Sequence, residues 1–327
     1  MAGYSNFPNG FPQGVAIRGV PLTVSNPGKV WWLGNATTLI KGDRGGSDGN
    51  KGTFNSAFST LSGAMTAISA DGGANRGDVI LVKPGHAETI SSATALTLSV
   101  AGVAVVGLGS GSKRPKWTLD TANTATINVT ADDISFTNCQ FAANFLSISA
   151  AFSLTTAKNF TLQSCLFYDT SSVLDFLNVV KSTGAANTVD GLTITDSQWV
   201  SLGTTSVNTF VLSANDIDRL TLQRNLVVQN TTVDQAIYAV TTAGVLTNLW
   251  ADSNIGYRKN TTTANGSMIN MGGTVANATG IISRNFIQTL TTTSDKLTPA
   301  STGLGFFENR VSGVANASGF LIPTADS

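Results

Sequence analysis

The feature that most constrains the fold of this chain is a short motif that recurs along most of its 327 residues. Each copy has an apolar residue, any residue, a polar residue, then Asn, Ser or Cys, any residue and a second apolar residue. Seven copies follow one another, beginning at Phe136, Leu162, Ile194, Leu222, Trp250, Ile282 and Phe306. Val82 and Val106 mark two earlier strands in the same column. The chain is therefore a tandem array of one structural unit.

The spacing of the copies, 24 to 32 residues, indicates which unit is repeated. A step of this length without a helix is too short for a β-α-β unit, but it suits one coil of a parallel β-helix. Parallel crossovers are nearly always right-handed. We therefore predict an all-β fold, a right-handed parallel β-helix of about nine coils between Val79 and Val311. The first apolar residue of every copy should stack in its interior.

The segments around the repeat divide the chain into four predicted parts. Residues 1–50 form an extended arm, 51–77 a capping helix and turn, 78–315 the β-helix and 316–327 a tail. The helix is expected because apolar residues fall at helical spacing from Phe54 to Ile68, after Thr53 as a candidate N-cap. Its apolar face would close the open N-terminal end of the β-helix, which otherwise exposes core and unpaired backbone.

The arm combines prolines, which resist helix and central strand, with apolar side chains that are costly to leave in water. It is the predicted partner-binding segment, because aromatic residues are the usual anchors of such contacts. The residues expected to make the contact are Phe7, Phe11, Ile17, Trp31 and Trp32. Packing of the arm on its own β-helix is the alternative.

Composition and charge exclude several classes of function. Lys plus Arg equals Asp plus Glu, at 19 each, so no net field attracts nucleic acid or anionic lipid. No apolar run approaches the roughly 18 residues of a membrane span, and the first residues lack the pattern of a signal peptide. We expect no nucleic-acid or membrane partner, and synthesis in a cytoplasm.

Two sets of titratable residues are candidates for catalysis. His86, the single histidine, follows a Pro-Gly turn, and Glu88 is its only acidic neighbour in sequence, so a structural turn is the expected role. An acid precedes the strand in several coils, at Asp78, Asp132, Asp190 and Asp218. Asp190 and Asp218 stand on adjacent coils, close enough for a glycosidase pair or a hard cation. Lys158, Leu246 and Ala278 interrupt this column, which favours turn chemistry.

Two further columns follow from the repeat. Cys139 and Cys165 occupy the same position one coil apart, and we expect free, buried thiols there. The outward positions are polar but uncharged, at Ser135, Thr161, Thr193, Thr221, Thr137, Gln163, Thr195 and Gln223. Such a face suits contact with sister copies, another protein or sugars, although the β-propensity of threonine also accounts for it.

Several segments outside the repeat carry a resemblance to known proteins. They are Phe11–Pro21, Gly28–Trp32, Gly46–Asn50, the helix from Phe54, Arg76–Ile90, Gly107–Gly109 and the closing segment Ser318–Pro323. In these the chain resembles the β-helix structural proteins of tailed phages, which belong to the broad pectin-lyase-like fold group. The resemblance covers nearly the whole chain, and its motifs specify fold and origin more sharply than role.

The resemblance implies a part of the virion, commonly trimeric. The short arm favours a capsid decoration or cement protein that binds the major capsid protein and stabilises the shell. We therefore expect a homotrimer that is made in the cytoplasm of the bacterial host and lies on the capsid surface, with possible glycan contact. We expect no enzyme activity, no catalytic residue, no cofactor and no metal. The alternative is a tailspike or fibre that binds or cleaves host surface polysaccharide. A free polysaccharide lyase is the third and weakest interpretation.

Overall fold

A computed structural model describes residues 15–17, 20–22, 28–35, 45–204, 208–231, 236–258, 267–273, 277–289, 297, 303–312 and 319–320. Three long parallel sheets run side by side along the chain and enclose one apolar core. Strands that neighbour each other in a sheet come from successive coils, so the chain winds as a parallel β-helix. The all-β, right-handed β-helix predicted from the repeat is confirmed.

Each sheet takes one strand from every complete coil. Sheet 1 contains Val30–Leu33, Val79–Val82, Ala104–Gly107, Ser135–Thr137, Thr161–Gln163, Thr193–Thr195, Thr221–Gln223, Leu249–Asp252, Gly280–Ser283 and Leu304–Phe307. Sheet 2 contains Ala87–Ile90, Lys116–Leu119, Gln140–Ala143, Leu166–Asp169, Gln198–Val200, Leu226–Gln229, Ile255–Arg258, Phe286–Thr289, Arg310–Ser312 and, antiparallel to it, Gly319–Phe320. Sheet 3 contains Leu96–Leu98, Ile127–Val129, Phe152–Leu154, Asn178–Ser182, Thr209–Ser213, Ala239–Thr241 and Ile269–Met271.

Smaller elements lie beside these sheets. Val15–Ile17 and Val20–Leu22 form an antiparallel pair, and Ile217–Asp218 pairs with Leu246–Thr247 in a parallel one. A short 3-10 helix, Gly111–Lys113, lies in the connection from sheet 1 to sheet 2, and the α-helix is Leu61–Ala70.

The number of complete coils differs slightly from the expectation of about nine. Seven coils have described strands in all three sheets; we number them 1 to 7 from the coil that begins at Val79. Two further coils, 8 and 9, begin at Gly280 and Leu304 and have described strands in sheets 1 and 2. The seven strands of sheet 3 therefore set the count of complete coils.

The interior column of sheet 1 follows the prediction through most of its length. Phe136 aligns with Leu162, Ile194 and Leu222, and farther on Ile282 aligns with Phe306. Phe306 is partly buried, and the other residues of this group are fully buried. Burial of each such side chain stabilises the fold by about 2 kcal/mol.

Trp250 and Val106 were wrongly assigned to that column. Ala251 pairs with Leu222 and fills the interior position, whereas Trp250 pairs with Thr221 and points outward. Its side chain is 51% exposed. In coil 2, Val105 aligns with Phe136 and takes the interior place that was assigned to Val106. Val82 was misplaced in the same column, because Ile80 is the residue of coil 1 that aligns with Val105.

A ladder of buried polar side chains explains the shift at Trp250. The residues with the same place after sheet 1 are Cys139, Cys165, Ser197, Asn225, Asn254, Asn285 and Asn309. Each one follows a residue in the left-handed region, such as Ser253 at φ 56° before Asn254. The sequence Ser253-Asn254 offers two permitted residue types in succession, and the motif alone placed Ser253 in the ladder.

The ladder ties successive coils together. The backbone N–H of Asn225 donates to Asn254 Oδ1 at 3.0 Å, and that of Asn254 donates to Asn285 Oδ1 at 2.9 Å. The amide group of Asn254 also donates to the carbonyl of Leu222 at 2.8 Å. These bonds satisfy backbone groups that the left-handed turn removes from the sheets, inside the core where an unpaired group is costly.

The capping helix begins later than expected. Its N-cap is Thr60 rather than Thr53, and Thr60 Oγ1 accepts a hydrogen bond from the backbone N–H of Gly63. The preceding residues cannot join the helix because Phe58 is extended and pairs with Leu33 at the edge of sheet 1. The apolar face of the helix is nevertheless buried as predicted, through Leu61, Ala64, Met65 and Ile68.

The predicted arm contributes a strand to the β-helix. Val30–Leu33 pairs in parallel with Val79–Val82, so sheet 1 begins one strand earlier than the boundary at residue 78 implies. Gly28 fits against Gly77 so closely that a Cβ there would lie 2.0 Å from the carbonyl oxygen of Gly77. The part of the segment 1–50 that contains both tryptophans is thus packed on the β-helix.

Candidate functional site

The centre of the outward face of sheet 1 is flat, polar and uncharged. The parallel register aligns Ser135, Thr161, Thr193 and Thr221 in one column. The same strands align Thr137, Gln163, Thr195 and Gln223 in a second column. The two uncharged outward columns predicted from the sequence are therefore formed, and they span coils 3 to 6.

The same face becomes apolar in coils 7 to 9. Trp250 is paired with Ile281, and Phe307 lies on the next strand. Their exposed fractions are 51%, 54% and 60%, far above those of the buried core. We call Trp250, Ile281 and Phe307 the apolar patch. Sequence reasoning missed it because it placed Trp250 inside. The one-residue shift that turns Trp250 outward is seen only in the structure, where Trp250 pairs with Thr221.

Of the predicted partner-binding residues, Trp31 and Trp32 are described in full. Trp31 is packed against the core, and its indole Nε1 donates to Asp78 Oδ2 at 2.9 Å. Trp32 packs on an outward cluster of Leu81, Val106 and Leu108, and the ring of Phe54 meets it edge-on at 4.8 Å. These contacts leave part of each indole accessible.

The remaining residues of that prediction lie in the first part of the chain. Phe7 and Phe11 fall outside the described residues, and for Ile17 only the backbone is described, paired with Val20. Binding of a partner by the five residues stays a prediction.

The predicted acidic column is made of turn residues that cap backbone. Asp132 Oδ1 accepts from the N–H of Lys158 at 2.8 Å, and Asp190 Oδ1 accepts from the N–H of Asp218 at 3.0 Å. Each acid thus binds the residue one coil farther on. Asp218 in turn accepts from Asn248 at 2.7 Å, which is the main reason that its pKa lies below the ordinary value.

Two members of that column were misplaced. Asp78 follows the left-handed Gly77, whereas Asp218 precedes the left-handed Arg219, so the two acids occupy different positions of the turn. Thr247, not Leu246, is aligned with Asp218. Asp190 and Asp218 remain on adjacent coils, with their carboxylates committed to backbone and side-chain donors.

His86 and Glu88 join the capping helix to the β-helix. His86 is buried, with Nε2 3.4 Å from Glu88 Oε2. The carboxylate of Glu88 also accepts from the backbone N–H of Leu61 at 3.1 Å and from the indole of Trp117 at 2.9 Å. It therefore caps the first turn of the helix and holds an aromatic side chain of coil 2.

A second pair of acidic residues, Asp169 and Asp175, is buried at the corner between sheets 2 and 3. Burial raises the pKa of Asp169 to about 6, and the neighbouring Asp175 adds to the rise. Backbone N–H groups of Phe176 and Leu202 donate to Asp169 at 3.0 and 2.8 Å. This buried carboxyl had no counterpart in the sequence analysis, because the repeat marks its position only as the end of an apolar strand.

The cysteines are free and buried, as expected. Desolvation raises the pKa of Cys165 to about 12 and that of Cys139 well above its ordinary value, so both remain thiols at neutral pH. Nearby, the guanidinium of Arg114 is close enough to oppose this rise slightly.

In the part of the chain that the structure describes, no three His, Cys, Asp or Glu side chains are grouped to hold a metal ion. No described helix has the length and apolarity to cross a membrane.

Comparisons with known proteins bear on the fold. No family model and no curated protein matches the chain. Among solved structures it is similar to a rhamnogalacturonan lyase, with 11% identity over 90% of each chain and a TM-score of 0.45. It is also similar to the pectin methylesterase from Aspergillus niger, with 14% identity over 93% of each chain and a TM-score of 0.47. At this identity the likeness concerns the fold alone.

The expectation that the chain has no enzyme activity is corrected by these comparisons. The two solved structures named above are enzymes, so the fold itself gives no reason to exclude catalysis. The expectation was drawn from the lack of a catalytic partner for His86 and from the interrupted acidic column, and neither feature tests other parts of the surface. No activity is assigned to the chain from similarity at this level.

Proposed function

We propose that this chain is a structural protein of a tailed-phage particle, which lies on the capsid surface and binds the major capsid protein. The observation that carries the proposal is the apolar patch. Three large apolar side chains, each at least half exposed, lie together on a rigid sheet face whose centre is uniformly polar. Groups of this kind mark protein–protein contacts.

The charges around the patch favour a protein partner over a charged polymer. Asp252 lies beside the patch, but Arg284 binds it through two hydrogen bonds of 2.9 and 2.6 Å. Two coils back, Arg224 binds Asp196 in the same way. Because these charges form ion pairs within the chain, the surface around the patch presents apolar area to a partner rather than a net electrostatic field.

A second attachment is proposed for the N-terminal residues. Val30–Leu33 is the first strand of sheet 1 and fixes the place where the chain enters the β-helix. Phe7, Phe11 and Ile17 are the anchors expected there. The trimer and the stabilisation of the shell belong to this proposal, with the uncharged face of sheet 1 as the contact between copies.

The alternative is a tail protein that binds host surface polysaccharide. The observation that favours it is the position of Trp250, whose exposed indole lies next to Thr221 on the uncharged face. Aromatic rings beside hydroxyl and amide groups suit the mixed polar and apolar faces of sugars. In that case the protein would occur at the tail, in a few copies per particle.

The test replaces the three residues of the apolar patch by threonine, the residue type that predominates in the outward columns of sheet 1. The triple variant Trp250→Thr, Ile281→Thr, Phe307→Thr should fold and should lose binding to particles that lack this protein, measured by co-sedimentation. The matched control is Thr193→Ser with Thr195→Ser in the polar centre, which should bind like the wild type. Undiminished binding of the triple variant would contradict a role of the patch, and deletion of residues 1–27 tests the second attachment separately.

A further inference from the structure

The outward face of sheet 1 is apolar at both ends. In the strand before coil 1 and in coils 1 and 2, its outward residues are Val30, Trp32, Val79, Leu81, Ala104 and Val106. Val30 and the adjoining Phe54 are nearly half exposed. Coils 7 to 9 carry the apolar patch, and coils 3 to 6 between the two ends are polar and uncharged. The middle of this pattern lies between coils 4 and 5.

A face with this pattern can match a second copy of itself that is turned end for end. In that arrangement a two-fold axis runs parallel to the strands through the middle of the face. Coil 1 then lies opposite coil 8, and coil 2 lies opposite coil 7. Each apolar end covers an apolar end of the other copy, and the polar centres meet, where hydroxyl and amide groups can hydrogen-bond across the contact.

The opposed side chains at the two ends also fit each other in size. They are Trp250 with Ala104, Ile281 with Val79, Gly305 with Val30 and Phe307 with Trp32. In the first three pairs a larger side chain lies opposite a smaller one, which lets two flat sheets interdigitate. The pair of Phe307 and Trp32 brings two aromatic rings together.

Two copies side by side in the same direction match less well. With the two-fold axis along the β-helix, the outward column of Trp250 lies opposite the outward column of Asp252. The indole of Trp250 then covers the ion pair of Asp252 with Arg284, and removal of charge from water is costly. In the end-for-end arrangement Asp252 faces Val106, and both are nearly buried within their own copies.

The size of the face is sufficient for a specific contact. Ten strands about 4.8 Å apart give it a length of about 45 Å, and four residues across give it a width of about 13 Å. These dimensions cover roughly 600 Å² of each copy, near the lower end of the range for specific protein–protein contacts. Among the described outward residues of these strands only Asp252 is charged, so repulsion between like charges does not oppose the contact.

We propose that the free chain forms a pair of two copies, joined end for end through the outward face of sheet 1. The pair is a form of the chain in solution and does not rest on the proposed place in a phage particle. On a particle, the apolar patch cannot hold a second copy and the capsid protein at once. The pair therefore opens when the chain attaches, and the trimer of the proposed function belongs to the attached form.

The mass of the full chain in solution tests the pair. Sedimentation equilibrium between about 1 and 200 µM should show a reversible change from the chain mass of 33.8 kDa to twice that value. Ser135→Glu should weaken pairing by about tenfold or more, because the two-fold axis places two added charges opposite Thr221 in the contact. Thr221→Lys alone should have a similar effect. The matched control, Gln198→Glu on the outward face of sheet 2, should pair like the wild type.

The double variant Ser135→Glu, Thr221→Lys tests the direction of the two copies. The two positions lie three coils apart in one copy, about 14 Å, which is too far for an ion pair within the chain. End for end, the carboxylate introduced at one position meets the ammonium group introduced at the other, so pairing should return to within about threefold of the wild type. Side by side, these groups do not meet.

Three results would overturn the inference. They are a wild-type chain that stays at 33.8 kDa, a wild-type chain that forms a trimer in solution, and a folded double variant that stays dissociated. Circular dichroism shows whether each variant is folded. All masses are measured on the free chain, and Ser135→Glu leaves the apolar patch intact. Failure of the patch to bind particles would therefore leave this result unchanged.

Discussion

The buried carboxylate of Asp78 accepts a hydrogen bond from the indole Nε1 of Trp31 at 2.9 Å. The same carboxylate accepts from the backbone N–H of Lys29 at 2.7 Å and from two nitrogens of Arg76. Burial acts to raise the pKa of Asp78, but these donors outweigh it and hold the pKa below its ordinary value. One side chain thus fixes the first strand of sheet 1 to coil 1.

Replacement of Asp78 should detach that strand. Asp78→Ala leaves a buried indole N–H, a backbone N–H and Arg76 without their acceptor, and we expect a loss of about 3 kcal/mol in the free energy of unfolding. Urea denaturation measures the loss. The control Asp133→Asn removes the charge of an exposed acid at a turn, keeps a residue type that tolerates the left-handed φ of 57°, and should cost less than about 0.5 kcal/mol. Equal effects of the two variants would contradict the account of Asp78.

The second prediction concerns the ladder of buried polar side chains that follows sheet 1. Asn254→Leu keeps the volume of the side chain but leaves the N–H of Asn225 and the carbonyl of Leu222 unpaired in the core. We expect a loss of about 3 kcal/mol. Gln223→Leu, on the outward face of the preceding coil, is the control and should be nearly neutral. A stable Asn254→Leu variant would show that the ladder does not hold the coils together.

Neighbouring residues of one strand test which side faces the core. Ile194→Asp puts an unpaired charge among stacked apolar side chains and should prevent folding, since its cost of several kcal/mol is comparable with the whole stability of many domains. Thr193→Asp changes the next residue, which faces outward, and should fold. Circular dichroism and soluble yield distinguish the two. A folded β-rich Ile194→Asp variant would contradict the described register.

The buried carboxyl of Asp169 predicts a dependence of stability on pH. Its pKa is raised to about 6 in the folded chain, against 3.8 for an ordinary aspartate, so folding disfavours its ionised form. The destabilisation is absent below pH 3.8, grows as the pH rises to about 6 and is complete above that. A difference of this size corresponds to about 3 kcal/mol.

Asp169→Asn removes this titration. The stability of the variant relative to the wild type should therefore increase between about pH 4 and pH 7, measured by urea denaturation at each pH. Asp133→Asn, at an exposed turn, is the control for general effects of charge. A constant difference between wild type and Asp169→Asn across this range would show that the carboxyl is ionised without cost.

The repeat predicted the architecture because the interior and outward columns are properties of single residues at a fixed spacing. It did not predict the exact register where two permitted residues are adjacent, as at Ser253 and Asn254, because the left-handed backbone that selects one of them is invisible in the pattern. The helix start was misplaced for a similar reason: Phe58 has helical spacing, but its pairing with Leu33 is a tertiary contact.

The surfaces were harder to predict than the core. The apolar patch depends on the one-residue shift at Trp250. The uncharged face of sheet 1, in contrast, could be predicted because it repeats with the coil. Features that occur once along a repeated fold leave no periodic signal in its sequence.

The most direct test of the proposed function is the number of copies of this chain per particle. Purified particles of the phage to which the proposal assigns the chain can be analysed by quantitative mass spectrometry, with the major capsid protein as the internal standard. A protein that covers the shell should be present in hundreds of copies, in a fixed ratio to the capsid protein. A few to a few dozen copies would contradict a place on the capsid and favour the tail, and absence from the particles would contradict both.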